Sequence, residues 1–178
     1  MLEIELPDLE YFDSEKNEFY NIKAQTLRLE HSLISVSKWE AKWGKHFLGN
    51  RNKTNEEIID YIRCMTLTPN VDPLTYKGLR KSDVDKIVDY IEAPMTATKF
   101  NEGKKPTPLK IITSEEIYYQ MIALGIPFEC QKWHINRLLT LIKVCSIRND
   151  PKKMGKTDIL RQNSQLNKAR RMAMHSKG

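Results

Sequence analysis

The stretch CQKWHINRLLTLIKVC, Cys130 to Cys145, decides how the chain is read. Two cysteines and a histidine so close together suggest a metal or nucleophilic site, yet the same letters on a helix describe a core-facing surface. At about 100° per residue, Lys132, Asn136, Thr140 and Lys143 gather on one side, and His134, Leu138, Leu141, Ile142 and Cys145 on the other. On a continuous helix the two cysteines stand fifteen residues apart, roughly 22 Å, too far to share one tetrahedral metal. Cys130 and His134 at i and i+4 supply two ligands at most, and His31, His46 and His175 are scattered singly. Cys145 lies among aliphatic residues and Cys130 has no evident base partner, so neither has the surroundings of a reactive thiol. The stretch reads as core: 128–147 is expected to be the longest buried helix, with Trp133 at its edge and no metal.

Working outward, the 178 residues suffice for one core plus an appendage. A hydrophobic content of 40% with 29% charged residues belongs to a globular chain rather than a disordered or membrane-embedded one. No apolar run approaches the roughly 20 residues that span a bilayer, and the N-terminal MLEIELPDLEYFDSE is acidic where a signal peptide is basic and then apolar. Three widely spaced cysteines form no disulfide framework and point to a reducing compartment. The formal charge of +6 is placed unevenly. From Asp150 onward eight Lys or Arg face only Asp150 and Asp158, so residues 1–149 are neutral overall.

The pattern predicts a mainly α (α+β) fold: a helical domain over 1–149 with a small N-terminal β-hairpin element, and a basic, amphipathic helical arm over 150–178. LEIEL and TLRLE alternate like strands around the turn-rich PDLEYFDSEKNE. SVSKWEAKWG predicts a short helix from Ser35 or Ser37 to Gly44. Thr54 and Glu57 form a capping box for a helix with Ile58, Ile59, Ile62 and Met65 inward. The Pro69–Pro73 segment is read as a linker. Ser82 is expected to cap a helix with Val84, Ile87, Val88 and Ile91 inward, stopped by Pro94. NEGKKPTP is a loop, LKIIT a returning strand, and Thr113 with Glu116 opens a helix through Ala123.

Two apparent sites dissolve on inspection. GKT at Gly155–Thr157 ends like a phosphate-binding loop, but the motif needs glycine where Asp150 stands. The acidic pairs Glu56/Glu57, Asp83/Asp85 and Glu115/Glu116 fall in first turns of expected helices, where carboxylates favour the positive end of the dipole. No cofactor and no catalytic residue are therefore expected. The arm carries a narrow stripe of Ile159, Leu166 and Ala173, with Arg161, Lys168 and Arg171 on another side, and reads either as a docking helix or as a solvated tail. It lacks the aromatic residues that stack on bases, which disfavours nucleic acid.

The block IYYQMIALGIPFECQKWHINRLLTLIKVCSIRNDPKKM, followed by LRQNSQLNKARR and joined by SLISVSKWEAKW, DYIRCMTLTP and YIEAPMTATKF, resembles tail assembly chaperones of long-tailed bacteriophages. The resemblance spans residues 27–178, most specifically through W-H-x-N-R-L-L-T-L-I. It implies a non-enzymatic factor of the host cytoplasm, absent from the virion. Its partners would be the tape measure protein and, on displacement, tail tube protein, and members are often also made in a longer frameshifted form. Ile159, Leu166, Arg161, Lys168 and Arg171 are the expected partner contacts, and self-association into a homo-oligomer remains open. Two other readings stand beside it: a structural tail or head–tail component retained in the virion, and a nucleic-acid-binding accessory protein using the basic arm.

Overall fold

The structure, a computed structural model, describes residues 1–14, 17–50, 52–100 and 112–149. Its contacts divide the chain into two units, Met1–Val144 and Cys145–Gly178. The class is mixed α+β and mainly helical, with an N-terminal hairpin.

Strands β1 (Leu2–Leu6) and β4 (Gln25–Leu29) pair antiparallel, and β2 (Leu9–Asp13) and β3 (Glu18–Ile22) pair within the loop between them. Leu2 faces Leu29, Leu6 faces Gln25, Leu9 faces Ile22 and Asp13 faces Glu18. One register thus runs through both ladders, and the two sheets are a single hairpin. It is interrupted at Pro7, which has no N–H to donate, and Asp8 there accepts from the Ala24 backbone at 2.6 Å. The segment expected to be turn is therefore largely strand, because LEYFD alternates and pairs with EFYNI across a short tip. Ile4, Leu6, Leu27 and Leu29 point into the core, as the period of two requires.

Among the described residues five α-helices follow: α1 (Leu33–Trp43), α2 (Asn55–Met65), α3 (Lys81–Glu92), α4 (Ser114–Ala123) and α5 (Ile135–Asn149), with 3₁₀ turns at Pro73–Gly78 and Phe128–Lys132. The Pro69–Pro73 linker thus runs into an ordered turn. α1 begins earlier than expected because Ser32 and Ser35 exchange side-chain and backbone bonds as a capping box. It ends as expected at Gly44, whose φ of 61° is the left-handed conformation that glycine adopts without strain. The Thr54–Glu57 and Thr113–Glu116 starts are present as read.

Two inner faces are rotated from expectation. In α2, Ile59 is exposed while Tyr61 is buried, because Glu57 and Asp60 turn inward to partners on and just after α1. In α3 the start is Arg80 rather than Ser82, since Asp83 accepts from both the Arg80 backbone and its guanidinium. That places Ile87 and Tyr90 inside and Val88 outside. LKIIT and NEGKKPTP fall largely or wholly outside the described residues.

The decisive stretch is not one helix. Cys130 sits in the 3₁₀ turn after Pro127, the chain extends at Trp133, and α5 starts at Ile135. The fifteen-residue spacing of the cysteines along one axis consequently does not hold. α5 is still the longest helix among the described residues, with Ile135, Leu138 and Ile142 buried and Leu141 half-buried.

Candidate functional site

Buried polar groups are the natural seat of chemistry. His134 is buried as expected, but as the residue preceding α5. Its Nε2–H donates to the Tyr90 carbonyl at 2.9 Å, and its Nδ1 accepts from the Asn136 backbone at 3.3 Å, so the two bonds define its neutral tautomer. Asn136 donates its amide to the Ile91 and Ala93 carbonyls at 3.0 and 2.9 Å, and Ile135 N–H donates to the His31 carbonyl at 2.7 Å. The W-H-x-N sequence is thus a bolt. It caps the start of α5 and the end of α3 with the same residues.

His31 meets the His134 ring edge-on at 5.0 Å and bonds the Tyr61 hydroxyl through Nδ1. Burial first, then the neighbouring His134 and Lys53, push its pKa down to about 3. Burial likewise lowers that of His134, against the raising effects of the Tyr90 carbonyl and Glu30. Both rings are neutral at physiological pH and both are engaged in structural bonds.

The buried acids are engaged too. Glu40 accepts from Phe47 N–H and Ser114 N–H, each at 2.7 Å, joining α1 to the loop after it and to the start of α4. Glu57 pairs with Lys45 at 2.6 Å, which holds its carboxyl below the usual range. Burial opposes ionisation of Asp60, but bonds from Lys42 and the Trp43 indole outweigh it and lower its pKa. The Cys64 thiol is pushed up by burial, the opposite of activation. Among the described residues no three His, Cys, Asp or Glu gather as a metal site, and no helix is long and apolar enough to cross a membrane.

The fold also leaves apolar surface exposed. α4 carries apolar residues on two faces: Ile117 and Met121 are fully buried one turn apart, while Tyr119 and Ile122 are 68% and 63% exposed. Phe128, half-exposed in the following 3₁₀ turn, stacks on Tyr118 with ring centroids 6.3 Å apart. The outcome is a ridge of Tyr118, Tyr119, Ile122 and Phe128, with exposed Glu115 and Glu129 in the same elements. Sequence reasoning missed it, although the signal was present: IYYQMIAL has more large apolar residues than one inward stripe accommodates. The expected contacts Ile159, Leu166, Arg161, Lys168 and Arg171 lie outside the described residues.

Comparison with known proteins adds no relative: no protein-family model matches the chain, and neither a curated protein nor a solved structure is identified as similar to it.

Proposed function

We propose that the protein is a non-enzymatic tail assembly chaperone of a long-tailed bacteriophage. It shields apolar helical segments of the tape measure protein in the host cytoplasm until tail tube subunits displace it. The observation that carries this reading is the exposed ridge of α4 and its following turn, held outward by a helix whose opposite face is fully buried. Large aromatic and aliphatic side chains exposed side by side suit an amphipathic partner helix, which would contribute its own apolar stripe. The buried histidines and carboxylates support the same reading by what they do: His31, His134, Glu40, Glu57 and Asp60 each bond a neighbouring element of the fold.

The test is co-expression with the tape measure protein, comparing the wild type with a Tyr119→Ser, Ile122→Ser variant. Because both side chains are exposed, the variant should fold with stability changed by no more than about 0.5 kcal/mol. It should lose the ability to keep the partner soluble. A variant that solubilises the partner as well as wild type would remove the ridge from the account. Recovery of the chain in purified virions would favour a retained structural component.

A further inference from the structure

The second arm of the hairpin, β3 followed by β4, has an outer edge that is closed along only part of its length. Along β4 it is closed by residues 66–68, which leave the end of α2 in the manner of a strand. Thr66 bridges Leu29 antiparallel, and Leu67 N–H donates to the Arg28 carbonyl at 2.7 Å. The Thr68 hydroxyl accepts from Arg28 N–H at 2.9 Å and donates to the Thr26 carbonyl at 3.1 Å. There the pairing stops. Pro69 has no N–H to offer a strand, and Asn70 turns the chain away at a φ of 55°, a left-handed conformation that asparagine tolerates.

Beyond that point the same edge has no strand beside it. Among the described residues the ladder partner of β3 is β2 alone, and no described backbone bond outside the ladder involves Asn21, Ile22 or Lys23. A groove of about 330 Å³ lies between β3 and residues 70–75 instead. Tyr20, Asn21, Ile22 and Lys23 line it in succession. Side chains of a strand alternate between its faces, so a cavity over one face touches every second residue, and one that touches four in a row runs along the edge. Gln25, donating to the Thr75 hydroxyl at 2.7 Å, bridges the two walls at the β4 end. The groove therefore presents strand backbone, the template on which a further strand pairs.

We infer that this groove binds an extended segment of another protein, which continues along β3 the strand that residues 66–68 begin along β4. The segment runs antiparallel to β3, as residues 66–68 run to β4, and the roughly 10 Å from Tyr20 to Lys23 takes about four of its residues. Main-chain bonds supply the affinity, and polar side chains suit walls that carry Asn70, Asp72 and Lys23. A helix cannot use this edge, because its own backbone groups are already paired. The inference goes beyond the tape measure reading and does not depend on it, since that reading concerns a helical partner on α4.

The probe is an acetylated and amidated hexapeptide of alternating Thr and Val, titrated into the isotope-labelled full chain and followed by amide shifts and hydrogen exchange. It should bind saturably at up to millimolar concentration, shift the Asn21, Lys23 and Asn70 amides, and slow exchange in β3. The same peptide N-methylated throughout keeps its side chains but loses its backbone donors, and should bind about tenfold more weakly or worse. Leu74→Trp fills the groove from the wall opposite β3 and should weaken the parent peptide by a similar factor with an unchanged circular dichroism spectrum. Should that variant misfold, the methylated peptide carries the test alone. No saturable binding, equal binding of the two peptides, or shifts centred on α4 or on Phe12 and Phe19 rather than on β3 overturns the inference. So does self-association of the wild type that Leu74→Trp abolishes, which would assign the groove to a second copy.

Discussion

Lowering the pH should loosen this fold before its carboxylates titrate, and His31 sets the size of the effect. A free imidazole titrates near 6.5, whereas burial holds His31 at about 3 in the folded chain. The unfolded chain therefore takes up a proton through the window between these values that the folded chain refuses. Stability is fully present above pH 6.5 and is lost as pH falls toward 3. One unbound proton costs about 1.4 kcal/mol per pH unit, so His31 alone removes about 2 kcal/mol between pH 7.5 and pH 5. His134 is shifted in the same direction and adds to the loss. Above pH 5 the acids Glu57, Asp60 and Asp83 stay ionised in the folded chain, because their pKa values are lowered. The assay is urea denaturation at half-unit pH steps, comparing wild type with His31→Phe, Tyr61→Phe. That double variant removes the titrating ring and the hydroxyl it bonds, leaving no orphaned partner. Its stability should depend on pH less steeply, by about one proton between pH 6 and 5. Equal slopes in the two proteins would refute the claim that His31 is buried neutral.

Glu40→Ala should cost about 2–5 kcal/mol in chemical denaturation, since it orphans the buried Phe47 and Ser114 amides together. Asn136→Asp replaces a donor facing two carbonyls by an acceptor facing them, and should cost more than Asn136→Ala in the same measurement. Gly44→Ala, at a φ of 61°, should lower stability by about 1 kcal/mol with no change in the far-ultraviolet circular dichroism spectrum.

Helix existence was legible wherever a short-range polar exchange marks a start. Thr54 with Glu57 and Thr113 with Glu116 were found because caps depend on residues three apart, which a sequence displays directly. Which face turned inward was less legible. Placing Tyr61 rather than Ile59 in the core requires knowing that Lys45, Lys42 and Trp43 come to meet Glu57 and Asp60, and those partners lie twelve to eighteen residues away. The hairpin shows the same division. LEIEL and TLRLE alternate visibly, but that LEYFD continues the ladder appears only once the register is seen to run past Pro7. His134 was read correctly as buried for an incomplete reason. A helical wheel assigns it a direction as if α5 already included it, whereas its burial comes from bonds to the end of α3 and to the first turn of α5.

Which face of α4 became the ridge was illegible for a related reason, and it ties the buried bonds to the proposed activity. A wheel of α4 contains two candidate apolar faces, Ile117/Met121 and Tyr119/Ile122, and local sequence does not choose between them. The choice is made from outside the helix. Glu40 on α1 accepts the Ser114 amide at the first residue of α4, fixing where that helix begins, and α1 packs along it. With the start pinned, Ile117 and Met121 fall inward one and two turns on, and Tyr119 and Ile122 are left in solvent. The ridge therefore depends on a carboxylate that touches none of its side chains. Glu40→Ala should weaken partner binding as well as stability, whereas Gly44→Ala, at a residue whose described bond is to the Glu40 carbonyl and not to α4, should weaken stability alone. If both variants retained full binding while folded, the orientation of α4 would have to be set by its own packing rather than by the Glu40–Ser114 bond.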